Sequence, residues 1–123
     1  MKTKVLSFFS FIVVLFFFDS CKHEIDLANA PEITFSKDVQ PIITSRCSMS
    51  GCHSESNYEK FALITYEDVV DIVEPGNARS SELYEVITDL SGEDRMPPLP
   101  DNRLADQQIL KIMVWIEQGA KNN

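Results

Sequence analysis

The chain has 123 residues, 44% of them hydrophobic and 24% charged, with a formal net charge of −8. A balance this acidic speaks against nucleic acid as a partner, because a phosphate backbone is bound through an excess of Lys and Arg. The length leaves room for one small domain, and the acidic field either steers a basic partner or simply keeps the chain soluble.

Lys2 and Lys4 make a basic start, and Val5 to Phe18 is apolar apart from Ser7 and Ser10. That run is too short for a good membrane span and suits the core of an export signal. Cys21, behind the small Ser20, sits where a bacterial lipoprotein signal places the cysteine that becomes lipidated; an uncleaved N-terminal anchor is the alternative. Either way the rest of the chain is expected at a membrane, outside the cytoplasm, in the cell envelope. Residues 1–20 are read as the signal peptide, 21–34 as the lipidated cysteine and a flexible tether, and 35–121 as the folded domain. The tether, polar and carrying Pro31, holds the domain roughly 20 Å from its anchor, and His23 is read as a solvated residue within it.

From Phe35 the pattern becomes helical. Val39, Ile42, Ile43 and Cys47 fall on one face, with Pro41 tolerated in the first turn. The helix thus delivers Cys47 from its buried side into Arg46-Cys47-Ser48-Met49-Ser50-Gly51-Cys52-His53. With Cys21 taken by lipid, Cys47 and Cys52 remain as a pair, and exported thiols are either oxidised together or used by a cofactor. Three readings follow. The pair forms a structural disulfide; or Cys47, Cys52 and His53 are three of the four ligands a zinc site needs; or the two thiols carry a covalent haem with His53 on its iron. The haem motif usually has two residues between its cysteines, and this one has four. Gly51, free to take a positive φ, lets the longer loop bulge.

A second helix is expected from a Thr65 cap, with Glu67 and Asp68 in its first turn and Tyr66, Val69, Val70 and Val73 on its apolar face, ended by Pro75 and Gly76. A third starts after Ser81, a good cap, and carries Leu83, Val86, Ile87 and Leu90 on one face. Met96-Pro97-Pro98-Leu99-Pro100 can only be a stiff extended loop. Asp106 to Gln118 is the longest helix after the leader, with Ile109, Ile112, Met113 and Ile116 on one face, Trp115 beside them and Gly119 at its end. No strand pattern is convincing, so the expected fold class is all-α.

Taken together these residues resemble the small monohaem cytochromes c, most closely the planctomycete-type cytochrome c domain. The resemblance rests on Phe35 with Asp38-Val39-Gln40-Pro41-Ile42, on Cys47, Cys52 and His53, and on Ile72-Val73-Glu74-Pro75-Gly76. Ser81-Glu82-Leu83-Tyr84, Met96-Pro97-Pro98 and Trp115-Ile116-Glu117-Gln118-Gly119-Ala120 complete it, in that order, over Phe35 to Ala120. It implies a small helical fold around one haem c, bound through Cys47 and Cys52, with His53 as proximal and Met96 as distal iron ligand. Met49, inside the attachment loop, and Met113, on a core face, are not expected to be ligands. The implied function is one-electron transfer between redox proteins, with no substrate bond made or broken and so no enzyme activity. Arg79 and Arg95 are possible partners of the haem propionates as against solvated arginines, Trp115 either meets the haem edge or is a core aromatic, and Leu83, Ile87 and Pro98 are expected in the crevice wall. Two other classes stay open: a haem enzyme or sensor with an open sixth iron position, and a haem-free, disulfide-bridged lipoprotein module.

Overall fold

The computed structural model describes residues 26–56 and 61–123; the expected export signal, Cys21 and His23 lie outside them. Among the described residues all regular structure is helical, with no strand. A π-helical turn, Phe35–Val39, runs directly into α1, Gln40–Arg46, with Pro41 as the second residue of α1. Next come α2, Tyr66–Val70, a short 3-10 turn, Ala78–Ser80, then α3, Glu82–Thr88, and α4, Asp106–Glu117.

The helical spacing of the first segment is realised: Val39, Ile42, Ile43 and Cys47 are all buried. At α2 the Thr65 hydroxyl accepts the Asp68 N–H (3.2 Å) and the Asp68 carboxylate accepts the Thr65 N–H (2.8 Å), a reciprocal cap that holds a helix of one and a half turns. Ser81 stands at the expected N-cap of α3, but its hydroxyl does not cap the helix. Instead it donates to the Asn77 carbonyl (2.9 Å) and accepts the Glu74 N–H (2.9 Å), so it ties down the Pro75–Gly76 turn. Leu90 departs from the expected apolar face of α3. The helix ends at Thr88, Asp89 takes an extended ψ of 129°, and Leu90 is left 76% exposed.

The core is assembled on α4, which packs against α3 and the opening turn. Ile112, Trp115 and Ile116 are fully buried, and Val114, off the expected face, is buried as well. Trp115 meets Phe35 at 5.5 Å between ring centroids, and Tyr66 meets Phe35 edge-on at 5.2 Å. The polar ends of both rings are satisfied by the chain after α4: the Trp115 indole N–H donates to the Lys121 carbonyl (2.9 Å) and the Tyr66 hydroxyl to the Ala120 carbonyl (2.8 Å). Gly76, at φ +84°, turns its N–H onto the Ile116 carbonyl (2.8 Å) and so fixes the turn before α3 to α4.

The end of the expected tether is part of this assembly. Ile33 N–H donates to the Gln118 side-chain oxygen (2.9 Å), Gln118 Nε2 donates to the Pro31 carbonyl (3.0 Å), and Phe35 N–H donates to Asn123 Oδ1 (2.9 Å). The ordered unit therefore extends back to Pro31 and forward to Asn123.

One helix start is only half capped. Gln108 Oε1 accepts the Ala105 N–H (2.9 Å), but Ala105, at the N-cap with extended φ and ψ, has no oxygen to return the bond. Ala105 is exposed. Ala105→Ser is expected to stabilise the domain by about 1 kcal/mol, or roughly 4–8 °C in melting temperature for a domain of this size. Thermal unfolding followed by circular dichroism reads this directly, and an unchanged or lowered midpoint would contradict the capping argument.

Candidate functional site

Cys47 is the C-cap of α1, its N–H donating to the Ile43 carbonyl (2.8 Å). The chain then loops out and returns. Cys52 N–H donates to the Met49 carbonyl (2.9 Å) and His53 N–H to the Cys47 carbonyl (3.0 Å), so the four residues between the cysteines close back on themselves. Gly51 has φ +82°, and a Cβ there would meet nothing within 4 Å; the need for glycine is conformational, as the longer loop requires.

His53 is 9% exposed, and its Nδ1 lies 2.8 Å from the Phe61 carbonyl oxygen. A carbonyl can only accept, so Nδ1 carries a proton, and in the neutral ring this leaves Nε2 with its lone pair, the form in which imidazole binds a metal. The segment that supplies this carbonyl is pinned to the loop twice: Leu63 N–H donates to the His53 carbonyl (3.0 Å), and the Ser48 hydroxyl donates to the Leu63 carbonyl.

Between this loop, α3 and the Met-Pro-Pro segment lies a pocket with about 710 Å³ of space not filled by protein atoms, part of it open to solvent. Cys47, Cys52, His53 and Met96, the last of them 43 positions after His53, all line it. So do Leu83, Ile87 and Pro98, the residues expected in the crevice wall, and Phe61, Leu63, Ile72, Val86 and Pro97 add further apolar surface. Met96 is held at its backbone, where its N–H donates to the Val86 carbonyl (2.9 Å) on α3.

Other named residues fall elsewhere. Trp115 is a core aromatic, fully buried with its N–H already donated, and does not line the pocket. Arg79 is exposed on the 3-10 turn, and the guanidinium of Arg95 is turned onto the Asp101 carbonyl of its own loop. The arginine that does line the pocket is Arg46, beside Cys47, and the sequence reading passed over it. Its Nη2 donates to the Asn102 carbonyl (2.7 Å), while its Nε is buried without a hydrogen-bond partner. Its place in the last turn of α1, one residue before a cysteine on the buried face, is the signal that marks it. Among the described residues Glu82 is the other charged side chain in the wall.

Cys47 and Cys52 are not joined in a disulfide. Burial pushes the Cys47 thiol up to about 11, with Arg46 pulling weakly the other way. Among the described residues no three His, Cys, Asp or Glu side chains gather as a metal-binding group, which leaves the zinc reading without its donor set there. Comparison with known protein families, with curated proteins and with solved structures returned no match.

The raised Cys47 value has a direct consequence for protein made without any cofactor. At pH 8 its thiolate fraction is on the order of one in a thousand, so iodoacetamide should label Cys47 far more slowly in the native protein than in urea, as read by peptide mass spectrometry. Equal rates in the two conditions would contradict the buried placement, and no labelling in either would point to a disulfide.

Proposed function

We propose that this protein is a lipid-anchored, monohaem c-type cytochrome that carries single electrons between partners at the cell envelope. The observation that carries the reading is the convergence on one apolar pocket of a cysteine pair, a histidine with its Nε2 lone pair available, and a methionine from a separate loop.

The residues fit a haem. Cys47 and Cys52 would hold it through thioether links, and His53 Nε2 and the Met96 sulfur would bind its iron. A haem bound in this way supplies a one-electron iron couple, which His and Met ligation sets at a raised potential. The chain's own contribution is to bind, orient and exclude water. The carbonyl of Phe61 keeps His53 in a single tautomer and orientation. Leu83, Ile87 and Pro97 wall the pocket with buried apolar surface, which would exclude water and keep the reorganisation that accompanies electron transfer small. The buried Nε of Arg46 is an unused cationic donor at the pocket wall, suited to a carboxylate of the bound group.

The anchor is the lipid on Cys21, and the acidic chain, at −8, suits a redox partner with a basic docking face. The reading is of a carrier because it assigns both pocket cysteines and His53 to holding the haem, which leaves no role for them in turning over a substrate. The rival with an open sixth position makes a different forecast for the same sample, because it lacks a thioether on the metal.

Protein expressed with the c-type maturation apparatus should give a pyridine haemochrome spectrum of haem c after acid–acetone extraction, which removes only non-covalent haem. The oxidised form should show the weak near-infrared band of methionine ligation. Met96→Ala should abolish that band and lower the reduction potential by a large margin. A variant with the wild-type potential and spectrum would remove Met96 from the iron, and tight carbon monoxide binding by the reduced wild type would favour the open-position rival.

A further inference from the structure

The four residues between Cys47 and Cys52 hold a second component of the site. We infer that Ser48 is a positioning residue for His53: its hydroxyl fixes the segment whose Phe61 carbonyl accepts the imidazole proton. This rests on the haem reading above and adds to it a role for the lengthened loop.

The hydrogen bonds form a closed circuit. The Ile43 carbonyl already accepts two N–H groups, from Cys47 (2.8 Å) and from Ser48 (3.0 Å), so both its lone pairs are taken. The single proton of the Ser48 hydroxyl is therefore directed at its other neighbour, the Leu63 carbonyl. Leu63 N–H in turn donates to the His53 carbonyl (3.0 Å), and two residues earlier the Phe61 carbonyl meets His53 Nδ1 (2.8 Å). Segment 61–63 thus touches the attachment loop at three points, two from His53 and one from Ser48. Ser48, five positions before His53, adds a third tie from a separate point of the loop to a segment whose Leu63 side chain is buried in the core.

The chemical effect follows from the acceptor. A well-aligned Phe61 carbonyl draws the Nδ1 proton and makes Nε2 a stronger donor, which favours the more highly charged state of a bound metal. Loosening the segment weakens that donation. The circuit contains no titrating carboxylate, and Ser48 itself touches neither the pocket nor the proposed metal ligands' ring atoms.

The test compares Ser48→Ala, Ser48→Val and Ser48→Thr in the matured, full-length protein. Two quantities are read: solvent exchange of the His53 Nδ1 proton by NMR, and the reduction potential. Ser48→Ala and Ser48→Val should speed the exchange at least tenfold and move the potential upward, while Ser48→Thr, which keeps the hydroxyl, should leave both at the wild-type values. If neither Ala nor Val accumulates as haem protein while Thr does, the hydroxyl is required and the inference stands. The inference is overturned if Val and Thr behave alike, since they share a shape and differ in the hydroxyl, or if all three variants match the wild type. A wild-type protein that carries no covalent haem defeats the haem reading itself, and is recognised before any variant is made.

Discussion

The bond from His53 Nδ1 to the Phe61 carbonyl is the constraint on which the site depends. A histidine held in a pocket without such a partner can turn its ring or exchange its tautomer, and Nε2 is then no fixed feature. Here the backbone carbonyl decides both at once. It does so because the segment after the attachment loop runs back alongside it, paired at Leu63 and His53 and fastened at Ser48. The pocket, the cysteines and the methionine would still be present without that bond, but they would surround an undirected imidazole.

The fold serves this arrangement by placing two unrelated loops on one cavity. Trp115, Phe35 and Tyr66 form an aromatic cluster whose polar ends are closed by residues 120 and 121, and this fixes α4 against the opening turn. Gly76 then fastens the turn before α3 to α4, and α3 carries Val86, whose carbonyl holds Met96. Each hydrogen-bonded link ends on a backbone carbonyl, of Lys121, Ala120, Ile116 and Val86 in turn. The methionine loop is thus positioned relative to the core through α3, while Cys47 is positioned through α1.

Much of this was legible in the sequence, because the signals were periodic or had a fixed local chemistry. The spacing of Val39, Ile42, Ile43 and Cys47 has one helical solution, and Thr65 with Asp68 is a local cap. Leu83, Ile87, Pro98 and Met96, which the resemblance and no periodicity grouped, do line one pocket. What escaped depended on partners distant in sequence. Leu90 continued the apolar period, but the helix had already ended. The Ser81 hydroxyl had a choice between its helix and the Glu74–Asn77 turn, and only the fold decides such a choice. Arg46 was hidden for a different reason: a charged residue beside a motif reads as surface until its Nε is found buried. Ser48 likewise read as part of a spacer, since nothing local points from it to Leu63.

The central claim is that this pocket binds one haem covalently through Cys47 and Cys52. The most direct measurement is the intact mass, under denaturing conditions, of protein expressed with the c-type maturation apparatus. The account predicts a mass higher than that of the processed polypeptide by one haem, with Cys47 and Cys52 both closed to alkylation and still closed after reduction. A polypeptide mass lower by two hydrogens, restored by a reductant that frees both thiols, would contradict it.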